Sequence, residues 1–249
     1  MEVLGIIPAR YGSTRFPGKP LVMIGEKSMI QRVYEQSCKG IKEVYVATDN
    51  ERIFEHVKAF GGNVVMTSAE HRSGTDRCRE AMDSIISVRA FEPDVIVNIQ
   101  GDEPFIDVEQ IKTLIHCFQD PGAEIATLVK KAEKEEEIFD ENKPKVVFDH
   151  HNFAMYFSRS VIPFLRGLRK GEWKDAHDFY IHIGIYAYRK ETLKKITRLE
   201  ISDLERAESL EQLRWLENGF KIKIAETFTE SFGIDTPADL QQAIKRLEK

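Results

Sequence analysis

The sequence predicts an α/β protein: a mostly parallel sheet flanked by helices and interrupted by an antiparallel excursion. Two patterns predict it. Short β-branched runs alternate with longer amphipathic segments through the first two-thirds of the chain. From about Lys143 the texture changes, and strand-like runs succeed one another without regular helices between them. At 249 residues, 42% hydrophobic and 31% charged, with 15 Gly and 9 Pro, the chain can bury a substantial core and is unlike collagen-type, low-complexity or disordered sequences. With no repeat or linker visible, one domain over residues 1–249 is expected, with 143–190 as an excursion within it.

Each element has its own local signal. Val3 to Ile7 reads as the first strand. Ser28 can cap a helix that places Met29, Val33 and Ser37 on one face and stops near Gly40. Glu43 to Thr48 reads as a strand, Ile53, Phe54, Val57 and Phe60 as a helical face closed by Gly61-Gly62, and Val64 to Met66 as a short strand. Thr75 to Ile86 then reads as helix, Asp94 to Gln100 as a nearly all-apolar central strand, and Val108 to Phe118 as helix. The charge run Lys130 to Glu137 fits a solvated helix face. Lys145 to Phe148, Phe153 to Ser158 and Tyr180 to Tyr188 are the antiparallel strands, with Gly167 to Asp178 a polar loop. A helix over Ser202 to Asn218 ends at Gly219, and a strand at Lys221 to Ala225 precedes a last helix announced by Thr236-Pro237-Ala238-Asp239.

Composition excludes several functions. With 36 Lys and Arg against 41 Asp and Glu, net −5, no general positive field exists to hold nucleic acid or an anionic membrane. No apolar run approaches the roughly 18 residues of a membrane span. The N-terminal residues carry no secretory pattern, so a cytoplasmic location is expected. Cys38, Cys78 and Cys117 are odd in number and far apart, which fits buried free thiols rather than a disulfide framework or zinc site.

The loop after the first strand, Pro8-Ala9-Arg10-Tyr11-Gly12-Ser13-Thr14-Arg15-Phe16-Pro17-Gly18-Lys19-Pro20, gathers cations, hydroxyls and glycines in one connection. Such a loop suits a polyphosphate, because glycine permits close backbone approach while Arg and Lys offset charge on a departing phosphate. A merely basic surface loop has the same composition. It is not a Walker loop, since five residues separate Gly12 from Gly18 and Lys19 precedes Pro20; no Gly-x-Gly-x-x-Gly follows the strand either. Gln100-Gly101-Asp102-Glu103-Pro104 sits at the carboxyl end of the central strand, where open α/β sheets bind ligands. Asp102 and Asp235, brought to one site, make a plausible magnesium position, although either carboxylate taken singly also fits a turn or a cap. His182 and Tyr186 fall on one strand face, and Glu211 and Gln212 lie in a helix.

Together with Val46-Ala47-Thr48-Asp49, Ser73-Gly74-Thr75-Asp76-Arg77, Tyr156-Phe157-Ser158-Arg159, His182-Ile183-Gly184-Ile185-Tyr186, Leu210-Glu211-Gln212-Leu213-Arg214 and Asp235-Thr236-Pro237, these segments closely resemble the 3-deoxy-manno-octulosonate cytidylyltransferases, nearly end to end. The resemblance implies a Rossmann-like fold of the nucleotide-diphospho-sugar transferase type that forms a homodimer. It implies transfer of CMP from CTP to 3-deoxy-manno-octulosonate (Kdo) with magnesium, serving lipopolysaccharide biosynthesis. By that similarity Pro8, Ala9, Arg10, Ser13, Arg15, Lys19, Ser73, Gly74 and Arg77 bind nucleotide, and Asp102 and Asp235 carry Mg2+. Gln100, Arg159, His182, Tyr186, Glu211 and Gln212 line the sugar pocket. Asp102, Asp235, Lys19 and Arg10 are the residues expected to carry catalysis. Arg72 and Ile181 depart from the family pattern, where Gln and Arg are common. Another acidic sugar, 8-amino-Kdo or sialic acid, is the alternative acceptor, and a non-catalytic nucleotide-binding protein the alternative class. Phe153, Met155 and Phe157, at alternate positions, are the expected apolar face of a dimer interface.

Overall fold

The computed structural model describes residues 1–12, 16–230 and 232–247. In chain order the elements are β1 (Val3–Ala9), β2 (Met23–Ile24), β3 (Lys27–Ser28), α1 (Met29–Ser37), β4 (Glu43–Thr48), α2 (Glu51–Ala59), β5 (Val64–Met66), α3 (Gly74–Val88), β6 (Val95–Asn98) and α4 (Val108–His116). They continue with β7 (Ile125–Lys131), α5 (Glu135–Phe139), β8 (Lys145–Phe148), β9 (Ala154–Ser158), α6 (Trp173–Ala176), β10 (Tyr180–Arg189), α7 (Lys190–Ile196), α8 (Asp203–Glu208), α9 (Glu211–Glu217), β11 (Ile222–Glu226) and α10 (Pro237–Leu247). Two compact units result: Met1–Lys112 with Arg189–Thr197 and Ser231–Lys249, and Thr113–Tyr188 with Arg198–Glu230.

In the first unit β6, β1, β4 and β5 lie side by side, all parallel, with Gly5 opposite both Val44 and Val97. Strands buried on both faces need apolar side chains throughout, and every residue of β6 is buried. The Ser28 hydroxyl caps α1 by accepting from Gln31 N–H, and Met29, Val33 and Ser37 are buried as their spacing predicts. At the other end of the chain, Ile234 and Ala243 pack with Ile24 and Met29 into one apolar cluster that anchors α10.

In the second unit β11 runs parallel to β7, β7 antiparallel to β10, and β8 pairs antiparallel with both β10 and β9. The antiparallel strands of the 143–190 segment are therefore present. Among the described residues no helix is long and apolar enough to cross a membrane.

Several sequence expectations are corrected. Lys130 to Glu137 is no single helix face: it spans the end of β7 and the start of α5. The helix expected over Ser202 to Asn218 is two, because Ser209 takes a left-handed conformation (φ 53°) and Leu210 is extended between them. Gly167 to Asp178 contains α6, and Trp173 within it is buried against Ala132, Ile138, Phe179 and Ile181. Cys78 and Cys117 are buried, the thiol of Cys117 pushed up to about 11 by burial, but Cys38 is exposed just beyond α1. The face of Phe153, Met155 and Phe157 is split: the β8–β9 register passes over Met155, which is bulged outward and 65% exposed, while Phe157 is fully buried.

The start of α10 is a capping box with Asp in the reciprocal position. Asp239 N–H donates to Thr236 Oγ1 (3.3 Å), and Thr236 N–H donates to Asp239 Oδ2 (2.8 Å). The Thr236 hydroxyl and the Asp235 amide also donate to this carboxylate, holding its pKa below the ordinary 3.8. Asp239→Ala should lower stability at pH 7 by about 1 kcal/mol in urea denaturation. Because the folded-state pKa is depressed, that contribution is complete above the unfolded value and is lost as pH falls through the folded one, so variant and wild type should converge under acid conditions.

Candidate active site

The first unit holds a cavity of about 270 Å³ at the carboxyl ends of β1 and β6. The loop after β6 lies so close to β1 that a Cβ at Gly101 would sit 2.8 Å from the Pro8 carbonyl oxygen, so only glycine fits there. Gln100 and Asp102, on either side of it, therefore line the same cavity as Pro8, Ala9 and Arg10. Gly18, at φ 71°, turns the chain into a short 3-10 turn that begins at Lys19. Ser13 and Arg15 lie outside the described residues.

Lys19 is the centre of the arrangement. Its side chain is 13% exposed, and its ammonium group donates to Asp102 Oδ2 at 2.7 Å and to Asp235 Oδ1 at 3.0 Å. Two carboxylates 133 positions apart thus share one cation, and the Ile234 amide donates to the Asp102 carbonyl oxygen to lock the two segments together (2.9 Å). The pair supplies hard oxygen donors around a point already occupied by positive charge. That fits Mg2+, which takes one or two protein carboxylates and completes its shell with phosphate oxygens and water.

The N-terminus of α3 forms another wall. Ser73 caps it, accepting from Asp76 N–H (3.1 Å), and Ser73 and Gly74 line the cavity, so the positive end of the helix dipole faces the cavity. Arg77, one turn in, is 4% exposed and already bonded: Nη1 donates to Thr67 Oγ1 (2.6 Å) and Nη2 to Asp49 Oδ2 (2.8 Å). His71 and Arg72 complete this wall, and His71 Nε2 is hydrogen-bonded to Glu80. Burial works against the Glu80 carboxylate, but the Ser68 amide and His71 together hold its pKa below the usual range.

The remaining expected residues belong to the second unit. Arg159 is clamped by backbone oxygens: its guanidinium donates to the carbonyls of Glu208 (2.7 Å), Glu141 (3.0 Å) and Ser209 (3.4 Å). Carbonyl acceptors orient the group without cancelling its charge. Beneath it the fully buried Lys145 ammonium donates to the Arg159 carbonyl (2.7 Å) and the Asp140 carbonyl (2.8 Å), and burial lowers its pKa. The Glu208 carboxylate lies in the same corner, accepting from the Arg159 backbone amide (2.9 Å) and from the Ser158 hydroxyl (2.6 Å). Glu211 accepts from Arg214 Nη2 (2.6 Å).

His182 and Tyr186 lie with ring centroids 5.3 Å apart, as their even spacing predicts. Tyr186 Oη and Gln212 Nε2 are buried and have no partner among the described residues. Buried polar groups left unsatisfied in this way are costly unless a ligand or water meets them. Gln212 is thus on no solvated face. Sequence reasoning missed Thr127, Thr67, Asp49 and Trp215, the last fully buried and edge-on to Tyr186 at 5.1 Å. Asp49 stood in the segment Val46-Ala47-Thr48-Asp49 without an assigned role, and Thr127 had a readable signal as a hydroxyl within the apolar run Ile125 to Val129.

Comparison with known proteins identifies the family. The family model described as Cytidylyltransferase matches residues 4–224. A 3-deoxy-manno-octulosonate cytidylyltransferase from Parabacteroides distasonis is 58% identical over 248 residues, covering 98% of this chain and 97% of the relative. One from Bacteroides thetaiotaomicron is 57% identical over 246 residues, with coverage of 98% and 97%. The solved structure of CMP:2-keto-3-deoxy-manno-octonic acid synthetase complexed with CTP superposes with a TM-score of 0.90 at 40% identity, covering 100% of this chain and 99% of that one. The 4-diphosphocytidyl-2C-methyl-D-erythritol synthase from Anaerococcus prevotii, with a TM-score of 0.60 at 15% identity over 100% and 96% of the chains, shares the fold alone. A family match across most of the sequence, and relatives identical at more than half their positions, lead to one conclusion: the chain belongs to the cytidylyltransferase family, in the 3-deoxy-manno-octulosonate cytidylyltransferase group.

Proposed function

We propose that the chain transfers CMP from CTP to the anomeric hydroxyl of Kdo, releasing pyrophosphate and yielding CMP-Kdo for lipopolysaccharide biosynthesis in the cytoplasm. The observation that carries this reading is the meeting of Asp102 and Asp235 on Lys19 beside the N-terminus of α3. A cavity that pairs helix-end amides and cations with two convergent carboxylates suits a nucleoside triphosphate.

The first unit holds the nucleotide. Amides at the start of α3 and the exposed Arg10 meet phosphate oxygens, and Asp49 and Thr67 keep the Arg77 guanidinium in place. Asp102 and Asp235 would hold Mg2+, which would supply polarisation of the phosphate and a lowered pKa at the attacking hydroxyl. Lys19 then turns its charge toward the departing pyrophosphate. In the second unit the Arg159 guanidinium, oriented by backbone carbonyls, takes the sugar carboxylate, and Tyr186 and Gln212, whose buried polar atoms lack partners among the described residues, supply further polar contacts. The anomeric oxygen bonds to the α-phosphorus, the bond to the bridging β-oxygen breaks, and the hydroxyl proton is released. The reaction needs no Ser, Cys or His nucleophile, and direct displacement inverts configuration at phosphorus.

Two copies associate through the second unit, where Met155 (65% exposed) and Phe164 (74% exposed) present apolar surface. A mass of twice 28.7 kDa at micromolar concentration is the expected result of light scattering, and a monomer refutes the pairing.

Pyrophosphate release measured across CTP, UTP, ATP and dTTP, each with Kdo, 8-amino-Kdo and sialic acid, should be confined to CTP with Kdo and should vanish on chelation of Mg2+. Turnover with a different acid and none with Kdo would reassign the acceptor. Asp102→Asn and Asp235→Asn should each lower kcat by at least about a hundredfold, the scale of losing one preorganised electrostatic group. Arg159→Met should raise KM for the sugar by about tenfold or more while leaving KM for CTP unchanged, as expected for loss of a charge-assisted contact.

A further inference from the structure

β10 departs from regular pairing where its polar side chains gather. Its register against β7 shifts between Ile183 and Tyr186, passing over Gly184 and Ile185. A bulge of this kind turns backbone carbonyls out of the regular ladder. Thr127, fully buried on β7, meets them: its Oγ1 lies 2.7 Å from the Ile185 carbonyl oxygen and 3.2 Å from that of Ile183. The same oxygen lies 3.0 Å from His182 Nε2.

Counting protons decides the state of the imidazole. A threonine hydroxyl carries one proton and two lone pairs, and a carbonyl oxygen can only accept. Two oxygens 2.7 Å apart repel unless a proton lies between them, so the Thr127 proton goes to the carbonyls, the Ile185 oxygen foremost. Toward His182 the hydroxyl therefore offers only a lone pair, and Nε2 must bring the hydrogen. The His182 backbone amide is bound to the Pro144 carbonyl (2.8 Å), and the ring is wedged between Phe157 and Tyr186 at centroid distances of 5.2 and 5.3 Å, so it has little freedom to turn over.

We propose that Thr127 is a positioning residue that fixes His182 as the neutral Nε2–H tautomer, leaving Nδ1 as a bare acceptor for a hydroxyl of the acidic sugar. The proposal rests on reading His182 as part of the sugar pocket. Burial supports the neutral form, pushing the His182 pKa down to about 3. An imidazole so weakly basic orients a hydroxyl rather than deprotonating it. The acceptor so left, His182 Nδ1, is on a ring 5.3 Å from that of Tyr186, whose buried Oη lacks a partner among the described residues.

The test is 15N-imidazole NMR on the full chain without substrate, combined with kinetics of Thr127→Val and Thr127→Ser. The His182 signal, one of seven histidines, is assigned by its loss in His182→Gln. Wild type and Thr127→Ser should both show a protonated Nε2 and a bare Nδ1 at pH 7, with sugar KM values within about twofold of each other. Thr127→Val should lose that tautomer preference and raise KM for the sugar about tenfold, the scale of one lost hydrogen bond, with KM for CTP unchanged. A protonated Nδ1 or an imidazolium in the wild type overturns the proposal, and so does a Thr127→Val variant that alters neither tautomer nor sugar KM. The wild-type spectrum decides even if Thr127→Val fails to fold. Because it is recorded without substrate, it separates failure of this proposal from failure of the Kdo reading, which absence of wild-type turnover would mark.

Discussion

The cavity of the first unit depends on one electrostatic constraint: two carboxylates from distant parts of the chain cannot stand side by side without a cation between them. Lys19 supplies it, at 2.7 and 3.0 Å from Asp102 and Asp235. Three separate backbone features serve that meeting. Gly18 turns the first loop so that Lys19 starts a 3-10 turn, Gly101 lets the loop after β6 press against Pro8, and the Ile234 amide ties the C-terminal segment to Asp102. Each trades backbone freedom for the placement of one charge, which is the cost expected where a site must be preorganised.

The second unit solves a different electrostatic problem with different means. The Arg159 guanidinium donates to three carbonyl oxygens, while the Glu208 carboxylate meets the Arg159 backbone amide. Arg77 in the first unit is the contrast. Its bond to Asp49 offsets its charge, so it acts as a fixed donor and shapes the cavity more than it attracts polyphosphate. One residue type thus does two jobs according to the acceptor that holds it.

What could be read in advance followed the range of the physics. Caps are local, and Ser28 and Thr236 were legible because a hydroxyl or carboxylate three residues from an amide announces its bond in the sequence itself. The βα alternation and the antiparallel strands were legible because burial imposes a period. Ser209 in a left-handed conformation was not, since serine carries no signal for it. Nor was β7 singled out, although Ile125 to Val129 is apolar, because the charge run behind it drew the reading toward a helix. Of the site, the convergence of Asp102 with Asp235 was anticipated and the role of Lys19 between them was not. Thr127 and Asp49 were invisible as partners, since their bonds span 55 and 28 residues.

The box at the head of α10 has a consequence for the chain's end. The carboxylate of Asp239 binds the amide of Asp235, and Ile234 and Ala243 share a cluster with Ile24 and Met29. The last helix lines no part of the cavity, yet it sets the position of Asp235, which does. Occupancy of the cavity and docking of the tail are therefore thermodynamically linked under the proposed function: a bound triphosphate would shield the C-terminal segment from proteases, and trimming that segment would weaken nucleotide affinity without removing a contact atom.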